Sequence, residues 1–469
     1  MLTYFPRYFS TRAIICYVVT LLLVSSFFMR YAMPFQFWLF GIVSVVLFFN
    51  YSTKLTMEWR RFSPKTFTKK LFVAALVIRI VYVVFIYFYY IEMTGQPHMY
   101  HAGDELVYAY LGTLLKESGI SMFGDLLKEY NFAFSDSGYC WWLAFENVVL
   151  GTHPLPYRIV KCFIDAFSCV LIYNLAKRNF GESTGRIAAI FCMLMPNMWY
   201  YCGVTLKETE MAFMVVLFVE RADLALHSKQ ITIQNLLLPF VIALVMFTFR
   251  TALAAVLVAS LVAALVLSSG RQLELWKKVL YSSIFAIWMF LTVGVEIIQE
   301  TQQLWAGRTE NQSVGYEWRS QRAGGNQFAK YASASVFAPL IFTIPFSTIV
   351  AIPNQENQMM LNGANFIKNI MSGLTILALF LLLIRGDWRK HVLPIAVTAG
   401  YLVVLVFSNF AHSERFHFPV LALELMFAAY GVSQLTNKHK RWYVLWLVGI
   451  SVANIAWAWI KLAGRGYSV

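Results

Sequence analysis

Apolar runs of about 18 or more residues recur along this whole sequence, each long enough for a helix to cross a hydrocarbon core of roughly 30 Å. Lipid cannot hydrogen-bond a peptide group, so a spanning segment must satisfy its own backbone, as a helix or within a closed barrel. The alternating ten-residue strands of a barrel are absent. The expected fold is therefore all-α: a polytopic membrane helix bundle of about 13 transmembrane helices, with interfacial helices on the outer face. Composition agrees: 59% of residues are hydrophobic, 17% aromatic and only 13% charged, where a soluble domain has about 25% charged.

The formal net charge of +14 would suggest nucleic acid in a soluble protein; here the positive-inside rule accounts for it, and no nucleic-acid partner is expected. Six cysteines are scattered, mostly in apolar runs, with no metal-ligand spacing. The first apolar run is followed by a second with no small-residue cleavage site between them, so it reads as a retained helix. Residues 1–70 form a transmembrane hairpin and a basic loop (Lys54, Arg60, Arg61, Lys65, Lys69, Lys70), which puts the N-terminus in the cytoplasm. Residues 71–298 form the core, with a first outer loop over 92–157. There Leu106, Tyr110, Leu114 and Leu115 share one helical face, as in a helix lying in the interface. Residues 299–365 form a second outer loop in which 335–352, carrying Pro339 and Pro345, reads as re-entrant or interfacial. Helices over 366–469 complete the bundle.

Few residues in such a chain can carry chemistry. Asp104 and Glu105 stand just outside a transmembrane run, at the start of the amphipathic helix. They are either helix-terminal acids favoured by the dipole or a general base at the membrane surface. Lys207-Glu208 enters a membrane helix, either snorkelling or marking a site. Arg250 and Arg415, with Arg79 and Arg158 beside them as weaker candidates, are cations at outward helix ends, against the charge rule. They could hold a lipid phosphate, or pair with headgroups, Glu414 or an intramembrane acid. Arg319 and Arg322, near Gly324-Gly325, could form a cationic flap or a solvated loop. His98, His101 and His153, with nearby acids, could bind a divalent metal, but their spacing matches no strong motif.

The order of these features resembles the polytopic lipid-dependent glycosyltransferases of the C superfamily (GT-C), of the protein O-mannosyltransferase and lipid A aminoarabinose transferase type. The residues that carry the resemblance run in order. Asp104-Glu105 with Tyr108 comes first, then Tyr139-Cys140-Trp141-Trp142 through Gly151. Arg158 through Lys177-Arg178-Asn179-Phe180-Gly181 follows, then Pro196, Glu208 and Arg415-Phe416-His417-Phe418-Pro419. The resemblance is closest over 71–203. This chain departs from the pattern in its two leading helices and in having no large soluble C-terminal domain. The resemblance implies an inverting transferase that moves a sugar from a polyprenyl-phosphate carrier to a glycan, lipid or protein acceptor, at the outer face of a bacterial inner membrane. It implies Asp104 as base and Glu105 or Glu208, with Tyr108, at the acceptor. Lys207, Arg250 and Arg415, with Arg319 and Arg322, would hold the lipid phosphate; no cofactor is required, though a divalent metal could take part. An O-antigen ligase or polysaccharide polymerase would instead depend on Arg319, Arg322 and His412. A lipid-linked glycan transporter or flippase would need ionisable residues at the bilayer midplane, where only Arg79, Lys161, Asp165 and Glu220 are candidates.

Overall fold

The computed structural model describes residues 2–118, 134–227, 233–267, 326–331, 338–407 and 411–467. Its helices are α1 Arg7–Phe27, α2 Phe35–Glu58, α3 Pro64–Thr94, α4 Gly103–Ser118, α5 Phe134–Leu150 and α6 Pro154–Phe180. They continue as α7 Glu182–Leu194, α8 Pro196–Cys202, α9 Glu208–Leu226, α10 Ile233–Phe249 and α11 Thr251–Leu267. The remainder are α12 Gln327–Tyr331, α13 Glu356–Met360, α14 Asn362–Ile384, α15 Val392–Val406, α16 Glu414–Ser433 and α17 His439–Ala463. Among the described residues, 7 helices are long and apolar enough to cross a membrane: α1, α2, α3, α6, α14, α16 and α17. The protein is an all-α polytopic membrane bundle. The end of the expected core segment, 268–298, lies outside the described residues, as do Arg319 and Arg322.

Local chemistry sets the helix ends. Ser63 caps α3, its hydroxyl accepting from Thr66 N at 3.3 Å with Pro64 at the first helical position, and Gly95 closes the helix at φ +74°. His153 caps α6 ahead of Pro154. Within the core segment, residues 182–202 are broken into α7 and α8, because Pro196 brings no N–H to continue the ladder.

Glycine sets two of the helix crossings. A Cβ on Gly363 of α14 would lie 2.5 Å from Gly41 O of α2, and one on Gly431 of α16 would lie 2.3 Å from Leu374 O of α14. Backbones meet here with nothing between them, the small-residue packing that membrane helices use in place of a hydrophobic driving force. α1 closes against α17, where Tyr443 OH donates to Phe9 O (3.2 Å) and Cys16 Sγ meets Ser451 Oγ (3.2 Å), while Leu2, ahead of α1, donates through N to Ser433 O at the end of α16 (2.9 Å). α16 is enclosed on nearly every side.

Residues 341–355 are not helical, yet Ile344, Ser347, Ile349 and Val350 are buried. Buried irregular backbone has to be satisfied by protein, and here side chains do it. Asn369 Nδ2 donates to Thr343 O (2.5 Å) and Pro345 O (2.8 Å), Lys368 Nζ donates to Ile344 O (2.5 Å), and Asn454 Oδ1 accepts from Ser347 N (2.8 Å). Ala32 and Val350 form an isolated antiparallel bridge.

The amphipathic helix differs in register from the sequence expectation. The buried face of α4 carries Glu105, Tyr108, Leu111 and Leu115, while Leu106 and Tyr110 are exposed. The apolar residues thus divide between a face that packs on α5 and a face left for lipid.

Candidate active site

Successive residues of a helix point about 100° apart, so Asp104 and Glu105, in the first turn of α4, meet different partners. Glu105 turns into the protein and is fully buried. Its Oε1 accepts from Arg158 Nη2 (2.7 Å) and from Thr205 N (2.7 Å), its Oε2 accepts from Met99 N (3.0 Å), and His98 Nδ1 lies 3.4 Å away. Burial alone would raise this carboxyl. Arg158, His98 and the Met99 N–H outweigh burial and hold it down at about 2. Arg158 also donates to Pro97 O at 2.6 Å. The pair therefore fastens the loop before α4 and the loop before α9 to α6.

Asp104 turns the other way. Its side chain is 61% exposed and takes a charge-assisted hydrogen bond from Arg415 Nη1. Arg415, in the first turn of α16, donates through Nε to Glu208, the first residue of α9. One guanidinium thus spans two carboxylates from distant parts of the chain, which its planar fork of donors permits and a lysine could not reproduce. Glu208 is fully buried, and among the described residues its Oε2 has no hydrogen-bond partner.

The surrounding groups hold this arrangement. Lys207 is buried; it pairs with Asp136 and donates to Phe249 O (2.6 Å) and Ser135 O (3.2 Å), while Tyr108 OH donates to the same Asp136 (3.0 Å). Arg250, between α10 and α11, donates to Tyr401 OH (3.1 Å) and lies 4.3 Å over the ring of Phe416. α8 ends at Gly203, and the carbonyls of the turn that follows are taken by Lys161, which donates to Val204 O (2.8 Å) and to Leu206 O.

Asp104, Tyr108, Lys207, Glu208, Arg250 and Arg415, far apart in sequence, thus assemble at one end of the bundle. Glu105 adjoins this cluster but points away from it. Arg158 and Arg79, weighed as cations for a lipid phosphate, are enclosed instead: Arg158 by Glu105, and Arg79 by Asp165 within the bundle. Arg415 pairs with Asp104 and Glu208, where the sequence offered headgroups or Glu414. Lys207 does not snorkel; it is spent on Asp136 and two carbonyls. The outer histidines scatter, His98 to Glu105, His101 to Glu356 (3.0 Å) and His153 to Tyr87 (3.2 Å). Among the described residues no three His, Cys, Asp or Glu side chains gather as metal ligands.

Sequence reasoning missed Asp136 and Tyr401, and took in Phe416 only as part of the segment around Arg415. Asp136 sits at an amphipathic helix start, the same signal that marked Asp104; Phe416 is next to Arg415. Tyr401 lies within an apolar run and carries no local signal.

With the cluster in view, likeness to known proteins becomes informative. The C-terminal stretch is similar to the Alg9-like mannosyltransferase family. That family's model matches residues 360–467, which hold α14 to α17 and include Arg415, but under a quarter of the chain. The match falls where the O-mannosyltransferase resemblance rested only on Arg415-Phe416-His417-Phe418-Pro419, and it does not reach Asp104 or Glu208. No curated protein matches the chain.

Proposed function

We propose that this protein is a membrane glycosyltransferase of the C superfamily that moves a sugar from a polyprenyl-phosphate carrier to an acceptor hydroxyl. The observation that carries this reading is Arg415. This cation lies in the stretch similar to the Alg9-like mannosyltransferases, and it is held between an exposed carboxylate and a buried one.

The chemistry follows from what each group can do. The acceptor oxygen attacks the anomeric carbon, and the bond from that carbon to the phosphate oxygen breaks with its electron pair. The acceptor proton passes to Asp104, the solvent-facing carboxylate. Charge builds on the departing phosphate, where Arg415 and Arg250 stabilise it. Glu208 acts through Arg415, fixing the guanidinium from the buried side of the site. A single displacement of this kind inverts the anomeric centre. Glu105, Lys207 and Tyr108 act through position: Glu105 anchors α4, and Lys207 with Tyr108 fixes Asp136 beside the site.

The test is transfer from a panel of polyprenyl-phosphate sugars in purified membranes. Asp104→Asn is expected to lower the rate about a hundredfold or more at unchanged protein level. Arg415→Lys is expected to fall nearly as far as Arg415→Ala, because a point charge cannot span both acids. Full activity in Asp104→Asn would refute the base assignment.

A further inference from the structure

A cleft of about 470 Å³ lies at the same end of the bundle, lined by residues outside the Arg415 cluster. Rings form one part of its wall, Tyr31 and Phe37 from the chain around the start of α2, Tyr100 from the loop before α4 and Tyr467 beyond α17, with Pro34, Met93, Ile352, Pro353 and Met359 between them. Gln36 and Glu356 add polar groups. The rings are held in place. Tyr31 and Tyr467 pack with centroids 5.0 Å apart, and Tyr31 O accepts from Ala351 N (2.8 Å). Tyr100 is fixed at both ends, its hydroxyl 3.1 Å from that of Tyr89 and its carbonyl accepting from Asn357 Nδ2 at 2.6 Å.

The cleft and the cluster are joined by a short piece of chain. Tyr100 lines the cleft, His101 adopts φ +51° and bonds Glu356 (3.0 Å), and Asp104 bonds Arg415. Four residues span at most about 14 Å, so a molecule with one end at Asp104 and the length of a short oligosaccharide reaches the cleft.

We propose that this cleft is a subsite for the sugar units of an oligosaccharide acceptor beyond the one that reacts. The proposal rests on the transferase reading and adds the acceptor's chemical class to it. Flat, rigid rings offer large apolar area at little conformational cost and match the C–H faces of sugar rings, while Glu356 and Gln36 offer directional hydrogen bonds to hydroxyls. The volume is within the range of small-ligand sites. A polyprenyl tail fits the same walls less well. It would dehydrate the Glu356 carboxylate and the Gln36 amide against hydrocarbon, with no hydrogen bond in return.

The test is binding of trisaccharides of mannose and of glucose to the full chain in nanodiscs, read by saturation-transfer NMR with no sugar donor present. Geranylgeraniol serves as the lipid probe. A trisaccharide is expected to bind, with Tyr31→Ala and Tyr467→Ala each weakening it about tenfold, the scale of one lost aromatic contact. Tyr467→Phe, which keeps the ring, is expected to bind as wild type. Equal binding by both alanine variants overturns the proposal. So does a wild type that binds neither trisaccharide, or one that takes up geranylgeraniol through Tyr467 in their place. Because the donor is omitted, a failed cleft leaves transfer to be judged by Asp104→Asn alone, and a chain that binds sugar but transfers none fails only the transferase reading.

Discussion

Glu105 and Arg158 have given up their hydration to one another, which makes each dangerous to remove alone. Arg158→Ala leaves a buried carboxylate uncompensated and is expected to cost about 3–5 kcal/mol, read as loss of the monodisperse peak in detergent. Glu105→Gln with Arg158→Met should be milder than the sum of the single changes, because neither charge is then stranded. The pH dependence has a definite sign. Glu105 is held below its ordinary value, at about 2, so its contribution is present at neutral pH and is lost only as pH falls from about 4.5 towards 2. Glu146 of α5 behaves oppositely. Burial and then Glu210 raise it to about 8, so its contribution is full below about 4.5 and disappears as pH rises through 8. Melting temperature is therefore expected to fall between pH 6 and pH 9, and Glu146→Gln is expected to flatten that fall; an unchanged slope would remove Glu146 as its source. The adjacent acids Asp104 and Glu105 were legible in sequence as a pair of interest. Which one faces solvent was not, because that depends on Arg158 and Arg415, 53 and 311 residues further along.

At the scale of elements, helix existence was written plainly and helix contacts were not. Apolar length, Pro at first positions and Gly at ends mark α3, α6 and α8. The pairing of α2 with α14 depends on Gly41 and Gly363, two glycines among 25 with nothing local to distinguish them. Gly363→Val puts side-chain carbon where Gly41 backbone already is, so it is expected to force the helices apart and lower the melting temperature by several degrees. Val at Gly449, which has open space where a Cβ would go, serves as the control. The register of α4 shows the same division. Apolar periodicity identified an amphipathic helix, but a helix with lipid on one side and protein on the other is apolar on both, and the hydropathy pattern does not say which side is which.

For the whole molecule, the bundle has one end rich in basic residues around 54–70, 385–390 and 438–441 and another that carries the Arg415 cluster. If charge sets orientation, cysteines introduced at Lys65 and at Gln96, in the exposed loop after α3, in a chain stripped of its own thiols should be labelled from opposite sides by an impermeant maleimide, Gln96 from outside. Labelling of both from one side would refute the orientation used here. The closure of α1 and α2 on α14 and α17 also has a consequence for how the protein is made. The first two helices leave the ribosome early, while two of their partners, α14 and α17, arrive more than 300 residues later. Until then Ser10 and Thr53 have each other (2.5 Å), but Tyr17 lacks the Asn362 it bonds in the finished protein, and Gly41 lacks Gly363. The hairpin meets α7 earlier, where Phe5 and Phe48 pack on Phe191 and Arg186 donates to Trp59 O (2.7 Å), but its contacts with α14 and α17 form only when those last helices are in place. A ribosome stalled before α17 would therefore leave α1 without the Tyr443 and Ser451 contacts that close the bundle.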